Sequence, residues 1–183
     1  MIQRDLHQQL RAESAATRER LATLLRPLDA AKLAEHPEPK GWSIAEVLEH
    51  LCIADELYEH TFPALMQRAR PDAAAALREW KPSFVGKFIS NALLGEKKLN
   101  APRVFRVRST PRGGVVEEFL GRERRFIQEL DDALRYDWRA VRIASPALPR
   151  WAPKMNLGDA LRIHVVHVSR HAKQIERLAG KVA

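Results

Sequence analysis

Apolar residues recur along the chain at spacings of three and four, the signature of amphipathic helices, in four long segments. The first lies near residues 2–25, with Leu6, Leu10, Leu21, Leu24 and Leu25 on one stripe and Pro27 just beyond. The second opens on Trp42-Ser43-Ile44-Ala45-Glu46-Val47, where Ser43 is the expected N-cap and Glu46 its capping-box partner. Trp42 and Val47 occupy the flanking staple positions. Ile44, Val47, Leu48, Leu51, Leu57, Tyr58 and Leu65 continue the stripe, and Pro63 is expected to kink or end it. The third segment covers 115–134, with Val116, Phe119, Leu120, Phe126, Ile127, Leu130 and Leu134 inward. The fourth runs from Leu157 to Ala179, with Asn156 as N-cap, Asp159 in the first turn and Gly180 as its stop.

Between the second and third segments lies a long connection, roughly 70–114, punctuated by Pro71, Pro82, Pro102, Pro111 and Gly113-Gly114. Within it the pattern predicts a short helix over Phe84–Leu94 and an extended stretch over Arg103–Arg108. A second Pro-containing connection, Ser145–Pro153, leads into the last helix. The segments do not repeat one another, which argues against a helical array. Four amphipathic helices with one long crossover between the second and third predict an all-α four-helix bundle, one domain over 1–183.

Composition narrows the class. At 183 residues, 45% hydrophobic and 30% charged, the chain can bury a core of its own. No apolar run is long enough to span a membrane, and the charged start is unlike a signal peptide, so a cytoplasmic protein is expected. A single cysteine excludes an internal disulfide. The net charge of +8 would suit phosphate contacts, but no block of like charge gives it direction, so nucleic acid is not the expected partner.

The chemistry is concentrated in the fourth helix. Its seam reads Leu157, Leu161, His164, Val168, His171, Ile175, Leu178, which puts histidines at core positions, with His167 beside them. Inward histidines need a partner for each ring nitrogen. His164 and His171 lie about 10.5 Å apart along the axis, too far to share an ion, whereas His164/His167 and His167/His171 are chelating pairs. His50 is the candidate third ligand. Antiparallel packing would bring its depth, about 10 Å into the second helix, to that of His171, about 12 Å from the end of the fourth. That match favours His167/His171. Cys52 points away from His50 and reads as a small core residue; His7, His36 and His60 read as surface or boundary positions.

The segments Gly41-Trp42-Ser43-Ile44-Ala45-Glu46-Val47-Leu48-Glu49-His50-Leu51 and His167-Val168-Ser169-Arg170-His171-Ala172-Lys173-Gln174-Ile175-Glu176-Arg177-Leu178, in this order, resemble the DinB/YfiT-like superfamily. The resemblance implies a four-helix bundle, often a homodimer, holding one divalent ion by three histidines, here His50, His167 and His171. His164 then lines the pocket or supports a ligand. Asp55 and Glu123, on inward arcs, would orient a ligand or touch substrate, unless they pair with an arginine such as Arg124 or Arg170.

Three neutral imidazoles suit zinc, nickel or iron and leave open positions for a water or a thiol. Relatives that transfer low-molecular-weight thiols make a thiol-S-transferase acting on small electrophiles the leading expectation, with such a thiol as co-substrate. A metal-dependent hydrolase is the alternative, weakened because Val168 stands where an H-E-x-x-H motif carries its glutamate. A non-enzymatic metal-binding or nucleic-acid-associated stress protein is the third.

Overall fold

The computed structural model describes residues 1–59, 61–95, 100–107, 109–149 and 151–182. The chain forms α1 (Gln3–Leu25), α2 (Ala30–Ala34), α3 (Ile44–Glu59), α4 (Thr61–Arg68), α5 (Phe84–Leu94), α6 (Val115–Ala133) and α7 (Leu157–Val182). Single 3₁₀ turns stand at Ala75–Leu77 and Arg103–Phe105. A two-residue hairpin pairs β1 (Arg142–Ile143) with β2 (Met155–Asn156), Arg142 opposite Asn156. The four expected long helices are α1, α3, α6 and α7, and the fold is all-α. Among the described residues no helix is long and apolar enough to cross a membrane.

Side-chain ties fix the helix directions. His7 meets Asp131 and Ser14 meets Glu123, so α1 and α6 are antiparallel. Glu13 accepts from Ser169, and Arg20 pairs with Glu176, so α1 and α7 run together. Glu49 pairs with Arg112, just before α6, and Asp55 with Arg122 inside it, so α3 and α6 are parallel. Two consecutive long helices with the same direction require a connection that returns the length of the bundle. That requirement accounts for the stretch between α4 and α6, and α5 makes the return leg along α7.

Most expected signals form as read. Ser43 Oγ accepts from the Glu46 amide at 3.2 Å, while Glu46 Oε2 accepts from the Ser43 amide at 2.9 Å. Asn156 and Asp159 cap α7 by the same reciprocal exchange, at 2.9 and 3.0 Å. Trp80 Nε1 also donates to Asn156 Oδ1, and the Ser83 amide to Asp159, which fastens the start of α5 to the start of α7.

Pro63 interrupts the second helical stripe as expected: α3 ends at Glu59, and Pro63 stands in the first turn of a separate α4, where a missing N–H is tolerated. Three expectations are corrected. Gly180 does not stop α7, because Ala179 and Val182 are buried and their packing outweighs the cost of a glycine. Residues 103–105 form a 3₁₀ turn, with the Phe105 amide donating to the Pro102 carbonyl at 2.9 Å, and Arg106 after it is extended; Arg108 lies outside the described residues. His7 is buried against Asp131, not at the surface, whereas His36 is exposed as expected and His60 lies outside the described residues.

The core has two apolar clusters. One joins Leu21, Leu25, Leu48, Leu51, Phe119, Val168 and Ile175, near the start of α3. The other joins Leu6, Leu10, Phe126, Leu130, Trp138, Leu161 and Val165. Between them each long helix contributes polar side chains: Ser14 from α1, Asp55 from α3, Arg122 and Glu123 from α6, His164 from α7. This polar layer lies one helical turn from the residues of the candidate site.

Candidate metal centre

His50, His167 and His171 are brought together by the antiparallel contact of α3 with α7. One nitrogen from each lies within 4.8 Å of the others. His50 Nε2 and His167 Nε2 are 3.1 Å apart. The imidazoles meet edge to face, with centroid separations of 5.1, 4.8 and 4.7 Å. His50 is only 3% exposed.

Hydrogen bonds set the tautomers of two rings. His50 Nδ1 lies 2.7 Å from the Phe105 carbonyl, and His171 Nδ1 lies 2.9 Å from Gln174 Oε1. Both partners are acceptors, so each Nδ1 carries the proton and each Nε2 presents a lone pair toward the centre. Trp42 walls the group, edge-on to His50 and parallel to His171.

Burial, and then mutual repulsion, keep these rings uncharged. Burial pushes His50 below its ordinary value despite the Phe105 carbonyl. Burial, with His171 and His50 next to it, holds His167 well below. His171 is pushed down to about 4, by burial and then by His50. At neutral pH three unprotonated imidazoles converge, two of them with fixed lone pairs. This donor set could hold a metal ion.

His164 is directed elsewhere. Its Nε2 meets Glu123 Oε1 at 2.9 Å, and its ring stacks on Phe126 at 3.7 Å. Burial opposes a charge on His164, but Glu123, joined by Asp55 and Glu129, outweighs it, and the pKa is raised. Glu123 also accepts from Ser14 and Asp55 from Arg122, so the expected partners Arg124 and Arg170 are replaced in both cases. Arg170 instead donates to the Leu93 and Gly95 carbonyls at the end of α5. Cys52 is fully buried, and burial pushes its thiol up to about 12, so it is a core residue and not a nucleophile.

Sequence reasoning missed the groups that orient the rings. Gln174 stands three residues after His171, a spacing that could have signalled it. The Phe105 carbonyl carries no side-chain signal, and its place depends on how the long connection folds. Glu129, half-buried and pushed up to about 7 by burial and then by Asp55, was also not singled out.

The fold and this cluster together define a helical bundle with a candidate histidine metal site between two of its long helices. The chain belongs to the DinB superfamily, whose model matches residues 14–175, a span that includes all three converging histidines. No curated protein and no solved structure matches the chain.

Proposed function

We propose that the protein is a metal-dependent enzyme of the thiol-S-transferase type, with His50, His167 and His171 as the ligands of one divalent ion and a small electrophile as substrate. The observation that carries the reading is the convergence of three neutral imidazoles with two Nε2 lone pairs oriented inward. When bound, such an ion supplies Lewis acidity, favouring the deprotonated form of a thiol or water. The chain's own residues do the rest. The Phe105 carbonyl and Gln174 hold protons on the outer nitrogens of His50 and His171, and Trp42 shields the rings from bulk water.

The test measures metal in protein purified without an affinity tag, beside the His167→Ala and His164→Ala variants. His167→Ala should lose the ion and His164→Ala should retain most of it; equal occupancy would overturn the ligand assignment. Metal-loaded protein is then incubated with a panel of small thiols and a chromogenic electrophile. Turnover that requires both metal and thiol, and vanishes in His167→Ala, is the expected result. Metal-dependent ester cleavage without thiol would favour a hydrolase.

A further inference from the structure

Along the seam of α3 with α7, the side chains that follow the histidines are only half covered. Seven residues along α3 advance about 10.5 Å and return to within about 20° of the starting bearing, so Leu57 lies in line with His50. Between those levels α3 contributes Ile53 and Ala54, and α7 contributes Ile163 and His164. All four stand within about 60° of His50 or His167 on their own helix, and all four are half-buried. Leu57 is 39% exposed. Apolar side chains left partly open along one line form the walls of a trough.

Leu57 is also a wall of a cavity of about 330 Å³, the size at which small-molecule sites begin. The cavity is bounded by Leu57 and Tyr58 at the end of α3, Thr61 at the start of α4, and Ser145, Leu148 and Ala152 in the connection between β1 and β2. That connection is preformed. The Ala147 amide donates to Ser145 Oγ at 3.3 Å, the Leu148 amide to the Ser145 carbonyl at 3.2 Å, and the Ala152 amide to the Pro149 carbonyl at 2.9 Å. Pro146, Pro149 and Pro153 fix the backbone around these turns.

The lining is uncharged. Asp, Glu, Lys and Arg make up 30% of the chain, but none of them is among the described residues that line this cavity. The Tyr58 phenol is bonded to the Ser145 side chain, and burial pushes it up to about 12, so it too is neutral. A carboxylate, sulfonate or ammonium group placed here would lose its hydration without gaining a partner of opposite charge.

We propose that this cavity holds the uncharged, apolar end of an elongated substrate whose reacting atom lies at His50, His167 and His171. The proposal rests on the reading of those histidines as a catalytic metal centre and adds the substrate's class. It is an electrophile with a neutral aryl or alkyl body reaching about 10 Å from the reacting atom. The net charge of +8 would favour an anionic body, and the lining opposes one.

The experiment is a fluorescence titration of the metal-free full chain with two probes that share one body, N-phenyl-1-naphthylamine and 8-anilinonaphthalene-1-sulfonate. Only the second is charged. The neutral probe should bind at a single site at least about 10-fold more tightly than the sulfonate, against the pull of the net charge. Leu57→Asp should weaken its binding about 10-fold or more, and Ala152→Phe, which fills the cavity, by a similar factor. Neither position is buried, so helical circular dichroism should be unchanged. Phe88→Glu, at a 68% exposed apolar side chain of α5, should leave the affinity unchanged. Nuclear Overhauser contacts from the bound probe should reach the Ala54 and Ile163 methyls as well as those of Leu57 and Leu148. No binding of the neutral probe, equally tight binding of the sulfonate, or affinity lost in Phe88→Glu and kept in Leu57→Asp would each overturn the proposal. So would contacts confined to Leu57 and Leu148, which would separate the cavity from the histidines. None of these readouts depends on metal or thiol, so the expected binding in a protein without thiol-dependent turnover would support this site and count against the transferase reading alone.

Discussion

Glu123 Oε1 sits 2.9 Å from His164 Nε2 inside the polar layer of the bundle, so His164 can hold a proton in a place where burial would otherwise remove it. Its folded pKa is raised. The pair therefore stabilises the fold below the ordinary histidine value of about 6.5, and the contribution is lost as pH rises through the folded value. Glu123→Gln should lower the His164 pKa in an NMR titration of the ring protons. The variant should lose more melting temperature near pH 5.5 than near pH 8.5. Equal losses at both would show that the pair acts by packing alone.

Arg122 is the countercharge of the same layer, with Asp55, Glu56 and Glu59 at 2.9, 3.0 and 3.2 Å and a side chain only 7% exposed. Removing it leaves several carboxylates facing one another. Arg122→Met should cost about 3 kcal/mol, seen as a fall of about 10 °C in melting temperature. Fluorescence-monitored urea unfolding measures the same quantity independently.

Removing Glu129 should have the opposite effect on stability to removing Arg122. Burial and then Asp55 push its carboxyl up to about 7, so ionisation costs folded stability between the ordinary carboxylate range and neutrality. Glu129→Gln should stabilise the protein by about 1 kcal/mol at pH 8, after allowance for solvent screening, and by little at pH 4.

Two glycines should respond in opposite directions to alanine. Gly180 lies in a continuing helix, with nothing near the position of an added Cβ, so Gly180→Ala should stabilise by about 0.5–1 kcal/mol. A Cβ added at Gly86 in α5 would collide with the Asp159 side chain. There Gly86→Ala should cost about 2 kcal/mol or more, because Asp159 must leave its cap bonds or α5 must lift. Thermal melts of the two variants make the comparison.

The long helices were legible because their stripes obey one period and their caps are side-chain signals. Ser43/Glu46 and Asn156/Asp159 state where α3 and α7 begin. The convergence of His50 with His167 and His171 followed from counting rises along two antiparallel helices. What was not legible depends on tertiary burial or on backbone. Gly180 reads as a stop, but the burial of Val182 overrides it. The hairpin of β1 with β2 has two residues in each strand, too few for any alternation to show. The Phe105 carbonyl is invisible to residue type, although it decides which nitrogen of His50 faces inward.

The clasp at the beginning of α7 works as an index mark for the rest of that helix. Asn156 and Asp159 bond each other, Trp80 and Ser83 bond them in turn, and the rotational phase of α7 is thereby set at its first turn. His167 lies eight positions beyond Asp159, so its bearing toward His50 is decided by that count. One residue inserted between them would swing the later imidazoles about 100° away from α3, with every helical hydrogen bond still formed. Four inserted residues would bring the bearing back to within about 40° but carry the rings about 6 Å too far along. Chain length between the clasp and the first converging histidine is thus as much a determinant of this site as the histidines themselves.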